Sequence, residues 1–389
     1  MTHPVTIITV AALTGFLVVA QLYLPLPLLG DIAEAHDVSL ARAGLVSSVF
    51  GFAYAAGFLI FGPASDRLGR RPVMIGGLAA LSVASLVVIL MPGWGSLLGA
   101  RAVQGIVAAA LPPVALAYLG EVLPPARRVT GIAWMSTAFL VAGLAGQVYG
   151  DFAGGLAAAI GPLALAYGVA AVAIARLPAA PGPEGAGRAD RSPLSAVLVL
   201  WRSLPSILTR APLLPAYGAA LVLLMSFVAF YTGLSWMRDD ALASAGLDLF
   251  TARLVALPAM FLTLGASRLV ARVGARQVVS GGLALAAVGA ASAAIAPGVS
   301  VLVAASVVFV AGIAVTVPSL IALIGSLEPE RRGAATALYT FTLFVGASLG
   351  PQIPALVEPA GFTGLCSLLA ALLAGGALIN TPRAVRAIA

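Results

Sequence analysis

The sequence has very little charge. Only 9% of its 389 residues are Asp, Glu, Lys or Arg, whereas soluble domains carry about 25%. So few charged side chains cannot cover a water-exposed surface, which excludes an ordinary soluble globular protein. Hydrophobic residues make up 61% of the chain, and a membrane span needs about 20 apolar residues. We therefore predict about a dozen spans, with the lipid bilayer as the main partner.

The chain has no lysine, only two histidines and one cysteine. Without lysine there is no phosphate-binding loop of the Gly-x-x-x-x-Gly-Lys type. His3, His36 and Cys366 are too few and too far apart for a Cys/His zinc cluster, and a single cysteine forms no intrachain disulfide. The 21 arginines are scattered between apolar runs, which does not fit a nucleic-acid surface. We predict no enzyme activity, no cofactor, no metal and no nucleic-acid partner.

Runs without charge define the predicted membrane spans. One long run is divided by the Pro297-Gly298 turn signal. We predict an all-α membrane protein with two six-helix halves, residues 1–177 and 213–389. The linker, residues 178–212, begins with a Pro/Gly-rich stretch, and apolar residues at helical spacing from Leu194 to Leu208 predict an amphipathic surface helix. The spans are residues 5–29, 43–63, 72–91, 95–120, 129–150, 155–176, 213–236, 249–269, 276–296, 299–324, 333–356 and 361–380.

The arginines predict the orientation. With the N-terminus in the cytoplasm, 17 of the 21 arginines fall in inner loops, the linker or the C-terminal tail. Only Arg42, Arg101, Arg238 and Arg253 fall on the outer side or in the outer leaflet, which satisfies the positive-inside rule. We predict a multi-pass protein of a bacterial inner membrane with both termini in the cytoplasm.

The two predicted halves resemble each other. Asp66–Arg71 matches Ala271–Arg276, Pro112 matches Pro318, and Pro124–Arg128 matches Glu328–Arg332, all at nearly the same offset. Small residues then recur in the spans that follow, which permits close helix packing or a hinge. These small-residue positions are Ala142, Gly146 and Gly150 in one half and Gly346, Gly350 and Pro354 in the other. Three matches in order indicate an internal duplication.

The segment from Gly62 to Arg71 carries the strongest motif. It contains a glycine, an Asp-Arg pair four residues later, a second glycine and further arginines. It resembles the loop between spans two and three of the major facilitator superfamily. The resemblance implies a twelve-helix transporter with alternating access, in which this loop latches the inner gate. It also implies a charge network of Asp66, Arg67, Glu121 and Arg332, beside Arg331; topology alone is the alternative reason for these arginines. The motif residues are Gly62, Asp66, Arg67, Gly69, Arg70 and Arg71.

A second motif lies within span four. Arg101, Gln104 and Gly105 are similar to the superfamily's Arg-x-x-x-Gly or Arg-x-x-Gln-Gly signature. An arginine in the bilayer is costly and is a functional candidate, although it can also snorkel to the headgroups. We expect Arg101 to pair with Asp31, or alternatively Asp151, and to take part in proton coupling. No acidic residue lies in the middle of any predicted span.

The predicted function is secondary active transport, with proton-coupled efflux of drugs or small metabolites by a monomer. Two alternatives remain: uptake or facilitated diffusion of a metabolite such as a sugar or organic acid, and a non-transporting receptor or scaffold. The spans that would line a cavity are mostly apolar, which suits an amphipathic small-molecule substrate. Their polar and aromatic candidates, besides Gln104, are Gln21, Tyr54, Ser226, Tyr231, Tyr339 and Thr342.

Overall fold

The computed structural model describes residues 3–180, 198, 201–202, 206, 210–244, 249–328 and 332–381. Within these ranges there are helices and turns but no strands, and twelve segments are long and apolar enough to cross a membrane. This confirms the predicted all-α membrane class with twelve spans. The spans are Pro4–Tyr23, Leu40–Leu68, Arg70–Ile89, Trp94–Val122, Thr130–Phe152, Leu156–Ala175, Leu214–Met237, Thr251–Val273, Ala275–Ala294, Val299–Leu327, Ala334–Leu356 and Glu358–Ile379.

The chain forms two compact units. The first contains residues 1–37 and 49–205, and the second contains residues 38–48 and 206–389. The helices from residue 3 to residue 180 are Pro4–Tyr23, Leu29–His36, Leu40–Ala43, Leu45–Leu68, Arg70–Ile89, Trp94–Ala108, Pro112–Val122, Pro125–Phe152 and Leu156–Ala175.

The described helices after residue 210 are more often interrupted. Short 3-10 segments occur at Leu257–Leu262, Gly350–Gln352 and Glu358–Ala360. The α-helices are Leu214–Met237, Asp239–Ser244, Leu249–Ala256, Thr263–Val273, Ala275–Ala294, Val299–Leu327, Arg332–Leu349, Ile353–Leu356 and Gly361–Ile379. Span eight therefore combines an α-helix, a 3-10 segment and a second α-helix, and it extends beyond its predicted end at residue 269.

The two units contain equivalent pairs of packed spans. In the first unit, span one packs against span five, and span three packs against spans four and six. In the second unit, span seven packs against span eleven, and span nine packs against spans ten and twelve. The same pairing therefore recurs at a six-span offset, as a duplicated half requires.

Two of the small-residue positions, Gly146 and Gly346, lie at close contacts between helix backbones. A Cβ atom on Gly146 would lie 2.6 Å from the backbone oxygen of Ala20, and one on Gly346 would lie 2.1 Å from that of Leu221. Each glycine thus brings two helix backbones together, span five on span one and span eleven on span seven. The structure supplies the packing role of these positions, and the hinge role stays a prediction.

Proline breaks the first span earlier than predicted. Its helix ends at Tyr23, and Pro25 and Pro27 lie in the turn before the next helix begins at Leu29. Proline has no N–H to continue the helical hydrogen bonds, so the apolar run 5–29 is not one continuous helix. Pro112 similarly divides span four after Ala108, whereas its equivalent Pro318 lies inside a continuous helix.

Part of the linker prediction lies outside the described residues. Most of the predicted amphipathic helix between Leu194 and Leu208 lies outside the described residues, and so does Ser192 of the linker. Leu198, Trp201 and Arg202 are described, and all three side chains are exposed. The amphipathic helix stays a prediction.

Candidate functional site

A glycine turn separates spans two and three. Gly69 has φ 92° and ψ 144°, a backbone conformation that side chains with a Cβ disfavour. Its N–H donates to the carbonyl of Ser65 at 3.0 Å and ends the span-two helix. The next helix begins at Arg70, so the turn places Asp66 and Arg70 within reach of each other at the same end of the first unit.

Arg70 is the centre of a charged-loop cluster that comprises Ser65, Asp66, Arg70 and Glu121. Its guanidinium forms ion pairs with Asp66 and Glu121, and Nε donates to Glu121 Oε1 at 3.0 Å. Its Nη1 donates to Ser65 Oγ at 2.6 Å, and that hydroxyl donates to the Gly62 carbonyl at 2.7 Å. The Arg70 side chain is 16% exposed, whereas Asp66 is 57% and Glu121 is 37% exposed. A mostly buried guanidinium therefore bridges two carboxylates from spans two and four.

The chain leaving span six covers this cluster. A cavity of about 490 Å³ is lined by Asp66, Arg70 and Glu121 and also by Ala179 and Ala180. Near it, the Tyr118 hydroxyl donates to the Pro178 carbonyl at 2.7 Å, and Arg71 Nε donates to the Ile174 carbonyl at 3.4 Å. The beginning of the linker is thus bound to the same end of the unit as the charged loop.

The predicted charge network is only partly described. Asp66 and Glu121 both form ion pairs with Arg70, which the predicted network did not include. The four-residue spacing of Asp66 and Arg70 was the available sequence signal. Arg331 lies outside the described residues. Arg332 is the first residue of a helix, and its side chain is also outside the described part of the structure. The parts of Arg67, Arg331 and Arg332 in the network stay predictions.

Arg101 is fully buried within span four. Its exposed fraction is 0%, as is that of Gln104. Its Nη1 donates to Gln104 Oε1 at 2.6 Å, its Nη2 makes a long 3.5 Å hydrogen bond to the Gln21 carbonyl, and its Cζ lies 4.3 Å from the centre of the Phe50 ring. The contact with Phe50 is a cation–π interaction. Arg101 is thus enclosed by the unit rather than extended to the surface.

Arg101 belongs to a hydrogen-bonded group of five residues from four spans, which we call the Arg101 network. Gln104 Nε2 donates to Ser85 Oγ at 2.8 Å, and Gln21 Nε2 donates to the same oxygen at 3.3 Å. The Tyr167 hydroxyl donates to Gln21 Oε1 at 2.8 Å. Ser85 is in span three and Tyr167 is in span six. The network members are Gln21, Ser85, Arg101, Gln104 and Tyr167.

Gly105 has a packing role beside this network. A Cβ atom at this position would lie 2.3 Å from the backbone oxygen of Phe50. Only glycine lets spans two and four approach this closely, and that approach places the Phe50 ring over Arg101. The glycine of the predicted motif therefore supports the arginine of the same motif.

Comparison with known proteins identifies the family. A sequence model described as Major Facilitator Superfamily matches residues 11–351. The chain belongs to this superfamily. Among solved structures, the human organic anion transporter MFSD10 (TETRAN) aligns with a TM-score of 0.75 at 20% identity, covering 98% of this chain and 100% of that one. At this identity the likeness shows a shared fold.

Superfamily relatives match over shorter stretches. "Uncharacterized MFS-type transporter YybF" of Bacillus subtilis is 37% identical over 111 residues, which is 28% of each chain. "Inner membrane transport protein YnfM" of Escherichia coli is 31% identical over 28% of this chain and 27% of its own. "Multidrug resistance protein D" of Escherichia coli is 37% identical over 21% of this chain and 20% of its own. These alignments span under a third of the relatives' lengths.

The predicted acidic partners of Arg101 lie at the other end of this superfamily member's first unit from the charged loop. Asp31 is exposed on the helix after span one and lines an open cavity of about 720 Å³ with Glu34 and His36. Asp151 is exposed near the end of span five. The described Arg101 network does not include Asp31. Its coupling role stays a prediction.

The predicted cavity residues occur in both units, and Gln21 and Gln104 belong to the Arg101 network. Tyr54 is buried, stacks on Phe50 and makes an edge-to-face contact with Phe58. In the second unit, Ser226 and Tyr231 are buried in span seven, and the Tyr231 hydroxyl lies near Ser306 and Arg253. Tyr339 donates to the Val317 carbonyl at 3.3 Å, and Thr342 donates within its own helix to Leu338 at 2.8 Å.

The sequence missed Ser85, Tyr167 and the central place of Arg70. Ser85 and Tyr167 are single polar residues in apolar spans, and neither is part of a repeated or spaced pattern. Their burial, 0% exposed for both, follows from the packing of spans three and six against their neighbours. A buried tyrosine normally finds a hydrogen-bond partner, which was the only general signal for Tyr167.

Proposed function

We propose that this superfamily member is a secondary transporter that exports amphipathic small molecules in exchange for protons. The observation that carries the proposal is the fully buried Arg101 in the middle of a four-span polar network. A charged side chain inside a membrane protein is expensive, and such residues commonly serve substrate or ion pathways. Structural support alone would be met by an apolar side chain at lower cost.

The direction and the substrate class rest on two further observations. One relative is named a multidrug resistance protein, and the proposed cavity residues are few and set among apolar side chains. A mostly apolar wall with a few fixed polar groups favours hydrophobic or amphipathic ligands. Both support export of such compounds.

The charged-loop cluster has a proposed gating role. Arg70 holds two carboxylates from different spans, so any movement of span two relative to span four must break or stretch these pairs. Partly exposed ion pairs have small net energies, which suits contacts that re-form in every cycle. We assign Asp66, Arg70 and Glu121 to this gate.

Facilitated diffusion is the second candidate. In the full sequence no Asp or Glu lies in the middle of a predicted span, and a carboxylate is the simplest proton carrier in a membrane. A chain without one at that depth could let substrate equilibrate without a coupled ion. Transport with and without a pH gradient separates the two candidates.

The experiment has two stages. An efflux-deficient bacterial host that expresses the wild-type chain is grown on a panel of toxic amphipathic compounds, beside hosts that express Asp66→Asn and, as the matched control, Asp37→Asn at an exposed helix end. We expect wild type and Asp37→Asn to protect and Asp66→Asn to fail.

Inverted membrane vesicles then decide the coupling. With an acidic lumen we expect uptake of the protective compounds, and dissipation of the pH gradient with nigericin should abolish their accumulation. Equilibration that ignores the gradient would support facilitated diffusion instead. Absence of protection and of transport for every compound would contradict the proposed function.

Location and assembly are part of the proposal. We place the chain in a bacterial inner membrane, as a monomer with cytoplasmic termini, because arginine is concentrated in the loops on one side. The mass of the purified protein in detergent, after subtraction of the detergent, should correspond to one chain.

A further inference from the structure

Two residues that no sequence pattern predicted, Ser85 and Tyr167, complete the Arg101 network. Ser85 accepts hydrogen bonds from two glutamine side chains, and Tyr167 donates to one of them. We propose that Ser85 and Tyr167 are positioning residues that hold Arg101 in the orientation needed for ion coupling. The proposal rests on the proposed function, because coupling is the activity that it refines.

Arg101 fixes the orientation of the Gln104 amide. A guanidinium only donates, so Gln104 must turn its oxygen toward Arg101 and its amide nitrogen toward Ser85. Ser85 Oγ accepts from Gln104 and also from Gln21 Nε2, and Gln21 Oε1 accepts from the Tyr167 hydroxyl. These hydrogen bonds connect the positive charge in span four to polar groups in spans three, one and six.

Ser85 is the centre of this arrangement. Its oxygen receives both amide donors, at 2.8 Å from Gln104 and 3.3 Å from Gln21. Since a buried donor without an acceptor is costly, loss of the hydroxyl would let both glutamine amides turn toward other partners. The Gln104 oxygen that faces Arg101 would then no longer be fixed.

The end of the first span supplies a further acceptor. The carbonyl of Gln21 would normally accept from the N–H four residues later, but that residue is Pro25, which has none. Arg101 Nη2 reaches this carbonyl. The C-terminal end of a helix also carries partial negative charge. The single hydroxyl hydrogen of Tyr167 is shared between Leu17 O at 3.1 Å and Gln21 Oε1 at 2.8 Å, which holds the same helix end in place.

Two variants and two matched controls test the proposal. Ser85→Ala and Tyr167→Phe remove one oxygen each from the network. Ser82→Ala and Tyr149→Phe make the same chemical changes at residues whose hydroxyls donate to backbone carbonyls elsewhere in the unit, Ala164 at 2.6 Å and Ala159 at 2.9 Å. Ser85→Thr keeps the hydroxyl and serves as the rescue variant.

The first readout is the ratio of gradient-driven uptake to counterflow of ethidium in inverted vesicles. Counterflow exchanges substrate without net proton movement. We expect Ser85→Ala and Tyr167→Phe to lower the ratio about fivefold, the effect of one lost hydrogen bond, and to displace the pH profile of uptake. Ser85→Thr and both controls should stay close to wild type. An unchanged ratio, whether both activities stay the same or fall equally, would overturn the positioning role.

The second readout needs no substrate. Hydrogen–deuterium exchange of the purified chain in nanodiscs reports on the amides of residues 17–28, where the first-span helix ends. Faster exchange there in Ser85→Ala and Tyr167→Phe, but not in Ser82→Ala and Tyr149→Phe, is expected. No difference between the pairs would contradict the proposal. If wild-type vesicles accumulate no ethidium under a pH gradient, proton-driven export of ethidium fails as a function, and the exchange result still decides the positioning.

Discussion

The loop after span two and the loop after span eight have the same backbone but different chemistry. Gly69 has φ 92° and ψ 144°, and Gly274, 205 residues later, has φ 93° and ψ 147°. Each glycine N–H closes the preceding helix, onto Ser65 in the first loop and Val270 in the second, at 3.0 and 2.9 Å. The duplicated turn has therefore kept its geometry.

The side chains around the two turns have diverged. Where the first loop has Asp66 and Arg70, the second has Ala271 and Ala275. The turn requires glycine whatever the function, because few other residues adopt its conformation. The turn does not require Asp66 or Arg70. Because only the first loop has these two charged residues, they point to a role that only the first unit performs. The predictions below test this difference.

The largest expected effect is an all-or-none difference in labelling. Native Cys366 is fully buried, so a membrane-impermeant maleimide should have little background. Arg272→Cys in the second loop and Ser192→Cys in the linker should react in inverted vesicles but not in intact cells. Glu34→Cys, exposed at the opposite end of the first unit, should react in intact cells. Labelling of Arg272→Cys or Ser192→Cys in intact cells would disprove the predicted topology.

The next effect is on transport. Asp66→Asn or Arg70→Ala should reduce the initial rate at least about tenfold, since each removes charge-assisted hydrogen bonds from the cluster, with membrane levels of the protein unchanged. Asp66→Glu keeps the charge and should be milder.

The equivalent changes in the second loop are the controls for this effect. Ala271→Asp and Arg272→Ala should leave the rate within about twofold of wild type, because exposed charges contribute little by themselves. Rates measured in the same vesicles, normalised to protein level, decide between the loops. A second-loop variant as damaging as Asp66→Asn would end the distinction between them.

A third, smaller effect concerns a feature that both units share. Gly146→Ala and Gly346→Ala each place a Cβ against a backbone oxygen, at 2.6 and 2.1 Å. Overpacking of this kind should destabilise each variant by about 1–3 kcal/mol, visible as a lower midpoint in thermal unfolding of the detergent-purified protein.

Gly76→Ala and Gly281→Ala are matched controls for this third effect. They occupy equivalent positions in spans three and nine, and a Cβ at either position has no neighbour within 4 Å. Both should be neutral or slightly stabilising, since alanine favours helix over glycine. Destabilisation by the controls equal to that of Gly146→Ala would show that glycine packing is not the cause.

The sequence was sufficient for the fold class because hydropathy alone marks a span. It was less informative where a helix bends. Pro25 and Pro27 lie inside an apolar run that satisfies every criterion of length and hydropathy, so the break after Tyr23 required attention to proline rather than to polarity. Span eight, by contrast, was correctly expected but ends later than its apolar run, since its last turn carries Arg268 and Arg272.

The residues of the candidate site could be predicted from the sequence where they belong to a motif. The other residues of the site could not. Arg101, Gln104 and Gly105 follow a spacing within one helix, which a sequence shows directly. Ser85 and Tyr167 join them only because spans three and six pack beside spans one and four. Contacts between helices distant in the chain leave no local pattern, so a lone serine or tyrosine in an apolar run gives no sign of its partner.

The smallest expected effect separates two equivalent arginines, Arg71 and Arg276. Arg71 Nε donates to the Ile174 carbonyl near the C-terminal end of span six, where a cation also complements the helix dipole. At 3.4 Å this bond is long, so Arg71→Met should cost about 1 kcal/mol or less. Arg276 Nη1 is buried and has no hydrogen-bond partner among the described residues. Because a buried donor without an acceptor is destabilising, Arg276→Met should leave the unfolding midpoint unchanged or raise it. Exposed Arg272→Met provides the baseline for loss of a charge. If Arg276→Met lowered the midpoint more than Arg71→Met did, the second loop would contain an unrecognised acceptor, and the view that only the first loop uses its charges would be wrong.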